Sequence, residues 1–84
     1  MISLHDIHER KGALFAQING NGGGKFAGNW ALAQKQPGGL WLAMFCLAAN
    51  KSGTGIGATA VEALYALARA DELQEPYFKE SAHG

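Results

Sequence analysis

Residues 40–70 read LWLAMFCLAANKSGTGIGATAVEALYALARA: an apolar run, a glycine-studded connector and an Ala/Leu-rich segment, in that order. How this stretch is read sets the fold. In 40–48 both parities are apolar, with Leu40, Leu42, Met44 and Cys46 alternating with Trp41, Ala43, Phe45 and Leu47. Leu, Ala and Met also suit a buried helix. A short apolar run bounded by turn residues instead predicts a strand, central in its sheet and covered on both faces. Cys46 is then a buried small hydrophobe. Further on, Thr59-Ala60-Val61-Glu62 has the form of a capping box, which predicts a helix from Ala60 to about Leu73. At 100° per residue, Leu67, Ala60, Leu64, Ala68, Val61 and Tyr65 share a core-facing stripe. Ala63, Ala66, Arg69 and Ala70 fall on the other side, which predicts a smooth exposed face suited to contact with another protein. Pro76 ends the helix, Tyr77 and Phe78 dock back, and 80–84 read as a tail.

Upstream, Lys35-Gln36-Pro37-Gly38-Gly39 is a turn centred on Pro-Gly. Residues 25–34 alternate: Phe26, Gly28, Trp30 and Leu32 on one side, Ala27, Asn29, Ala31 and Ala33 on the other. The expectation is a strand with its large residues facing the core. Asn21 to Gly24 is loop. Residues 13–18 read either as a strand leading into an Asn19-Gly20 turn or as the continuation of a preceding helix, and Gly12 tips the balance to strand. Before it, Ser3 and Asp6 resemble a capping box, which predicts a short helix from about Leu4. The expected fold class is α+β: a small antiparallel sheet of two or three strands, a C-terminal helix packed on one face and a short N-terminal helix.

With 84 residues the chain forms one domain and a thin core, despite its 48% hydrophobic content. Seven Lys and Arg against seven Asp and Glu give zero net charge, which argues against electrostatically driven nucleic-acid binding. The longest apolar run is half the length of a membrane span, and the polar start MISLHDIHER does not read as a signal peptide. Cys46 is the single cysteine, so no disulfide forms within the chain. These features together predict a soluble, cytoplasmic protein.

Three groups of residues were weighed for chemistry. Gly53, Gly55 and Gly57 precede a helix, as in phosphate-binding loops, with Lys51 nearby. The spacing is neither G-x-G-x-x-G nor G-K-[ST], so a plain connector is the simpler reading. His5, His8 and Glu9 on a helix would lie on adjacent turns within reach of one metal, but tight sites need more ligands, and a solvated face is the default. Trp30 and Trp41, with Phe26 and Phe45, either build the core or offer a partner a contact, as exposed tryptophans do. Stacking on the bases of a single strand is the other use of such aromatics. The sequence presents no catalytic constellation and calls for no cofactor or metal.

Two resemblances follow from these residues. The order helix, three strands, helix, with Gly55-x-Gly57 before the last helix, looks like a double-stranded-RNA-binding domain. That family carries lysines at the start of its last helix, where this chain has Thr59, Ala60, Val61 and Glu62. Over roughly residues 25–70, the strand, strand, glycine loop and T-x-x-E-A-L helix of a compact neutral chain resemble small phage and mobile-element proteins. Anti-CRISPR proteins and other inhibitors of host defence belong to that class. The resemblance is one of construction and carries over no functional residue. It implies a non-catalytic protein-binding domain that either forms a homodimer or inhibits a larger partner, a host defence complex.

Overall fold

The computed structural model describes residues 2–18, 30–46, 53–73 and 77–79. Seven elements follow one another: β1 (Leu4–Arg10), β2 (Ala13–Ile18), β3 (Trp30–Lys35), β4 (Trp41–Phe45), β5 (Thr54–Gly57), α1 (Ala60–Leu73) and β6 (Tyr77–Lys79). The strands form one six-stranded sheet in chain order. Neighbours are antiparallel except β5 and β6, which run parallel. Two adjacent parallel strands need a crossover between them, and α1 supplies it. The helix packs on one face of the sheet, chiefly over β5 and β4.

This corrects the expected fold class: the sheet has six strands rather than two or three, it is mixed rather than antiparallel, and residues 4–10 are a strand rather than a helix. The reason for the last change lies in the next two residues. Lys11 and Gly12 both have positive φ, 53° and 84°. This is the geometry of a two-residue type I′ turn, whose twist matches that of paired strands. Arg10 accordingly pairs with Ala13. Ser3 and Asp6 copy the spacing of a capping box, but Ser3 Oγ instead bonds His5 Nε2 at 2.8 Å. Between His5, opposite Gln17, and His8, opposite Phe15, the register shifts. Asp6 and Ile7 together stand opposite Ala16, and Asp6 takes φ 52°, so β1 carries a β-bulge.

The β3–β4 turn forms where Pro37-Gly38 predicts one. Gly39 N–H donates to Gln36 O at 2.8 Å, Gln36 N–H donates to Leu40 O at 2.7 Å, and Gly39 adopts φ 98°. This is a three-residue hairpin loop closed by a left-handed glycine. β4 is interior, between β3 and β5, as its apolar sequence implies, but it is not covered on both faces: the helix lies on one, and Met44 on the other is 41% exposed.

The helix starts at its capping box. Thr59 N–H donates to Glu62 Oε1 at 3.1 Å, and Glu62 N–H donates to Thr59 Oγ1 at 3.2 Å. Thr59→Ala removes one of these reciprocal bonds, and we expect it to lower stability by about 1 kcal/mol in urea unfolding with an unchanged m-value.

The buried arc of α1 differs from the stripe read from sequence. Ala63, Leu64, Ala66, Leu67, Ala68 and Ala70 are buried, whereas Val61 is 41% exposed and Tyr65 is half-buried. The arc is centred near Leu67 and turns roughly 80° toward the alanines, at 100° per residue. The cause is close approach to the sheet. On β5, Gly55 and Gly57 are buried, and a Cβ on Gly55 would strike the Leu67 N and Ala63 O of the helix backbone. A Cβ on Gly57 would lie 2.7 Å from Ala63 N. Only glycine lets a helix backbone sit this near a strand.

Opposite the helix the sheet presents Ala16, Ala31, Ala33 and Ala43, each fully buried, with Ile18 and Phe45. Leu64 and Leu67 are the largest fully buried side chains among the described residues. The core is therefore rich in alanine and glycine, with Ile18 and Phe45 as its larger strand residues.

Candidate functional site: the helix-free face of the sheet

The strand register sorts the residues into two faces. Leu14 pairs with Ala33, Ala16 with Ala31, Ala31 with Phe45 and Ala43 with Gly55, which defines the helix side. Phe15 pairs with Leu32, Gln17 with Trp30, Leu32 with Met44, Gln34 with Leu42 and Leu42 with Ile56, which defines the other. Side chains alternate along a strand, so these pairs form continuous rows. One row runs Leu32–Met44 beside Phe15, and the next runs Leu42–Ile56. The apolar residues of these rows are half-buried apart from Met44, which is 41% exposed.

Over residues 30–34 the sides are the reverse of those expected, which put Trp30 and Leu32 toward the core and Ala31 and Ala33 away from it. In β3 the alanines face the helix, and Trp30 and Leu32 face outward. Phe26, Ala27, Gly28 and Asn29 lie outside the described residues.

At the β1–β3 end of this face three rings meet. His8 stacks on Phe15 with centroids 5.5 Å apart and planes at 10°, and it meets Trp30 edge-on at 5.7 Å and 74°. His8 Nδ1 bonds the Asp6 carbonyl at 2.9 Å. A carbonyl only accepts, so Nδ1 carries the proton and the ring is fixed in orientation. The bulge thus serves this cluster: Asp6 turns its carbonyl toward the imidazole two residues on. Beside the rings, Arg10, Lys11, Ala13, Phe15 and Gln34 line an open hollow of about 300 Å³.

The other residues singled out from sequence fare differently. Ala63, Ala66 and Ala70 are fully buried, so the expected smooth outer face of the helix does not exist; Arg69 beside them is half-buried. Of the two tryptophans, Trp30 lies on the helix-free face, whereas Trp41 packs against the core on the helix side, paired with Gly57. Gly55 and Gly57 belong to a strand and are filled by the helix backbone, which leaves no phosphate cradle there. Gly53 precedes β5 with φ 106°, and Lys51 lies outside the described residues.

His5, His8 and Glu9 do not share a helix face. On β1, His5 and His8 fall on the helix-free side, while Glu9 pairs with Leu14 on the other. Among the described residues no cluster of three metal-ligating side chains occurs. Cys46 is exposed rather than buried, and partial desolvation raises its thiol pKa, which disfavours the reactive thiolate. None of the described helices is long and apolar enough to cross a membrane.

The fold and the face together define a small open-faced sheet-and-helix domain with an apolar outer sheet surface. Comparison with known proteins finds no matching family model, no matching curated protein and no matching solved structure. The double-stranded-RNA-binding likeness loses its basis in the fold, since that order requires a helix where β1 stands.

Proposed function

We propose that this chain is a non-catalytic protein-binding domain that docks its partner on the helix-free face of the sheet. One observation carries the reading. The helix side of the sheet is lined mainly by alanine and glycine, while Phe15, Trp30, Leu32, Leu42, Met44 and Ile56 fall on the side where none of the described residues forms a helix. Antiparallel sheets with a solvated face normally place polar residues there. A contiguous apolar face rimmed by polar residues is the mark of an interaction surface.

The occupant is either a second copy of the chain or a larger partner. The construction-level resemblance to phage-type inhibitors favours a host defence complex in a cytoplasmic, reducing setting, where a single thiol needs no disulfide partner.

The test uses Leu32→Lys combined with Met44→Lys. These substitutions load the centre of the face with charge and leave the helix side untouched, so the melting temperature should stay close to that of the parent. Light scattering across the micromolar range reads the dimer, and affinity capture from a host lysate reads a foreign partner. We expect the parent to associate by one of these measures and the double variant to lose at least tenfold in affinity. A parent that is monomeric and captures nothing, or a double variant that binds equally well, overturns the reading.

A further inference from the structure

We infer that the hollow lined by Arg10, Lys11, Ala13, Phe15 and Gln34 is a carboxylate-binding subsite, which takes an acidic side chain of the protein partner while the neighbouring apolar side chain of that partner rests on Phe15 and Leu32. The inference builds on the docking face proposed above and names the chemistry of what docks there.

The register supports the placement. Arg10 pairs with Ala13, and Phe15 with Leu32, so Arg10, Ala13 and Phe15 share the helix-free side, and Gln34 joins them on β3 opposite Leu42. Lys11 is held at the rim by the type I′ turn, through its φ of 53°. One hollow therefore gathers a guanidinium, an ammonium and a carboxamide against a phenyl ring. The guanidinium presents a planar fork that matches a carboxylate bidentately, the ammonium adds a second positive charge, and the carboxamide adds a neutral donor.

The zero net charge of the chain conceals how the fold distributes its charges. Among the described residues, the charged ones at the register positions of the helix-free face are Arg10 at one edge and Lys79, paired with Ile56, at the other. Glu62, Asp71 and Glu72 belong to α1, on the opposite layer, Glu9 sits on the other side of β1, and Asp6 lies in the bulge. An incoming surface thus meets positive charge and apolar area together, and the complement of that combination is an acidic residue next to an aliphatic or aromatic one.

The balance between protein and nucleic acid follows from the rest of the face. A single strand needs a track of cations along its phosphates. Here Arg10 and Lys11 stand at one end and Lys79 at the other, with aliphatic Leu32, Leu42, Met44 and Ile56 between. That interior suits protein side chains.

The experiment follows backbone amide shifts of the isotope-labelled full chain with two probes, acetyl-Glu-Leu-Phe-amide and its neutral twin acetyl-Gln-Leu-Phe-amide. We expect the Glu peptide to bind at least fivefold more tightly, with shifts at residues 10–15 and at Gln34. The preference should fall below twofold in Arg10→Gln/Lys11→Asn. Asn at position 11 tolerates the turn's positive φ, so this variant should keep the parent's melting temperature. Equal binding of the two peptides, with equal shifts at Leu32 and Met44, overturns the carboxylate subsite and leaves the docking face standing. Glu-selective shifts at Arg10 with none at Leu32 or Met44 support the subsite and count against that face. No shifts with either peptide, or tighter binding of a ten-residue oligothymidylate at the same amides, overturns the inference.

Discussion

Gly55→Ala should largely unfold the protein, or leave it with a urea midpoint far below that of the parent. The new Cβ has nowhere to go: it meets Leu67 N and Ala63 O and would lie 2.8 Å from Leu67 Cα, all backbone atoms of one helix. Side chains can rotate away from such a clash, but a helix backbone held by its own hydrogen bonds can only move as a body. Lifting α1 off β5 would open the contacts with β4 and β6 as well. Overpacking in a core typically costs about 1–3 kcal/mol, and more when backbone must shift. Small domains are marginal to begin with, so a loss at the upper end of that range is most of what they have. Gly38→Ala is the matched control: no atom lies within 4 Å of its added Cβ, and the turn leaves its φ outside the left-handed region. It should leave the midpoint unchanged. A Gly55→Ala protein with the parent's midpoint would mean that the helix does not sit on β5 as described.

The second large effect is expected at Leu67. With Leu64 it is one of the two largest side chains fully buried in the described structure, and it lies at the centre of the buried arc of α1. The core cluster to which it belongs is made mostly of alanines, among them Ala16, Ala31, Ala33, Ala43 and Ala68, side chains with no rotamers by which to fill a void. A cavity costs least where the surrounding side chains can collapse into it, and most side chains of this core are short. We therefore expect Leu67→Ala to lose about 3–5 kcal/mol, at the high end for such truncations. Val61→Ala, on the same helix but 41% exposed, should lose no more than about 0.5 kcal/mol. Chemical denaturation of the two variants beside the parent checks both, and a Leu67→Ala loss below about 1.5 kcal/mol would contradict the packing.

How much of this was legible in the sequence depended on whether a signal was local. The capping box at Thr59 and Glu62, the Pro37-Gly38 turn and the strand at Ala13–Ile18 are set by neighbours in the chain, and each was read at its place. β1 was not, because residues 5–10 are exposed and lack the alternation of a half-buried strand. Its only sequence mark is the turn that follows it, and Gly12 reads as readily as the stop of a helix as the second residue of a hairpin turn. β5 reads as a loop because its glycines answer to a helix that packs on it later in the chain, a long-range demand that no local pattern reveals. β6 has three residues, too few to show a period.

The candidate face was misread for a related reason. Alternation separates two sides without saying which is buried, and side-chain size alone points Trp30 and Leu32 into the core and the helix alanines to the surface. Gly55-x-Gly57 on a strand facing an alanine-rich helix is the pattern that would have corrected it. When both partners of a contact are small, the elements are close, and the large residues of the same strands have to face the other way.

The bulge in β1 has a bearing on the condition of the protein in concentrated solution. An outermost strand offers unused N–H and C=O groups, a template on which another chain can add and on which fibres grow. β1 is seven residues long and lies at one border of the sheet, so it is the obvious place for such growth. The left-handed Asp6 and the register shift between His5 and His8 break the regular row of donors and acceptors there, and His5, Glu9 and Arg10 line the border with polar groups. At the far border β6 is only three residues long. Neither border favours polymerisation, so a chain with this much outward apolar area is steered away from open-ended stacking and toward closed, face-to-face recognition.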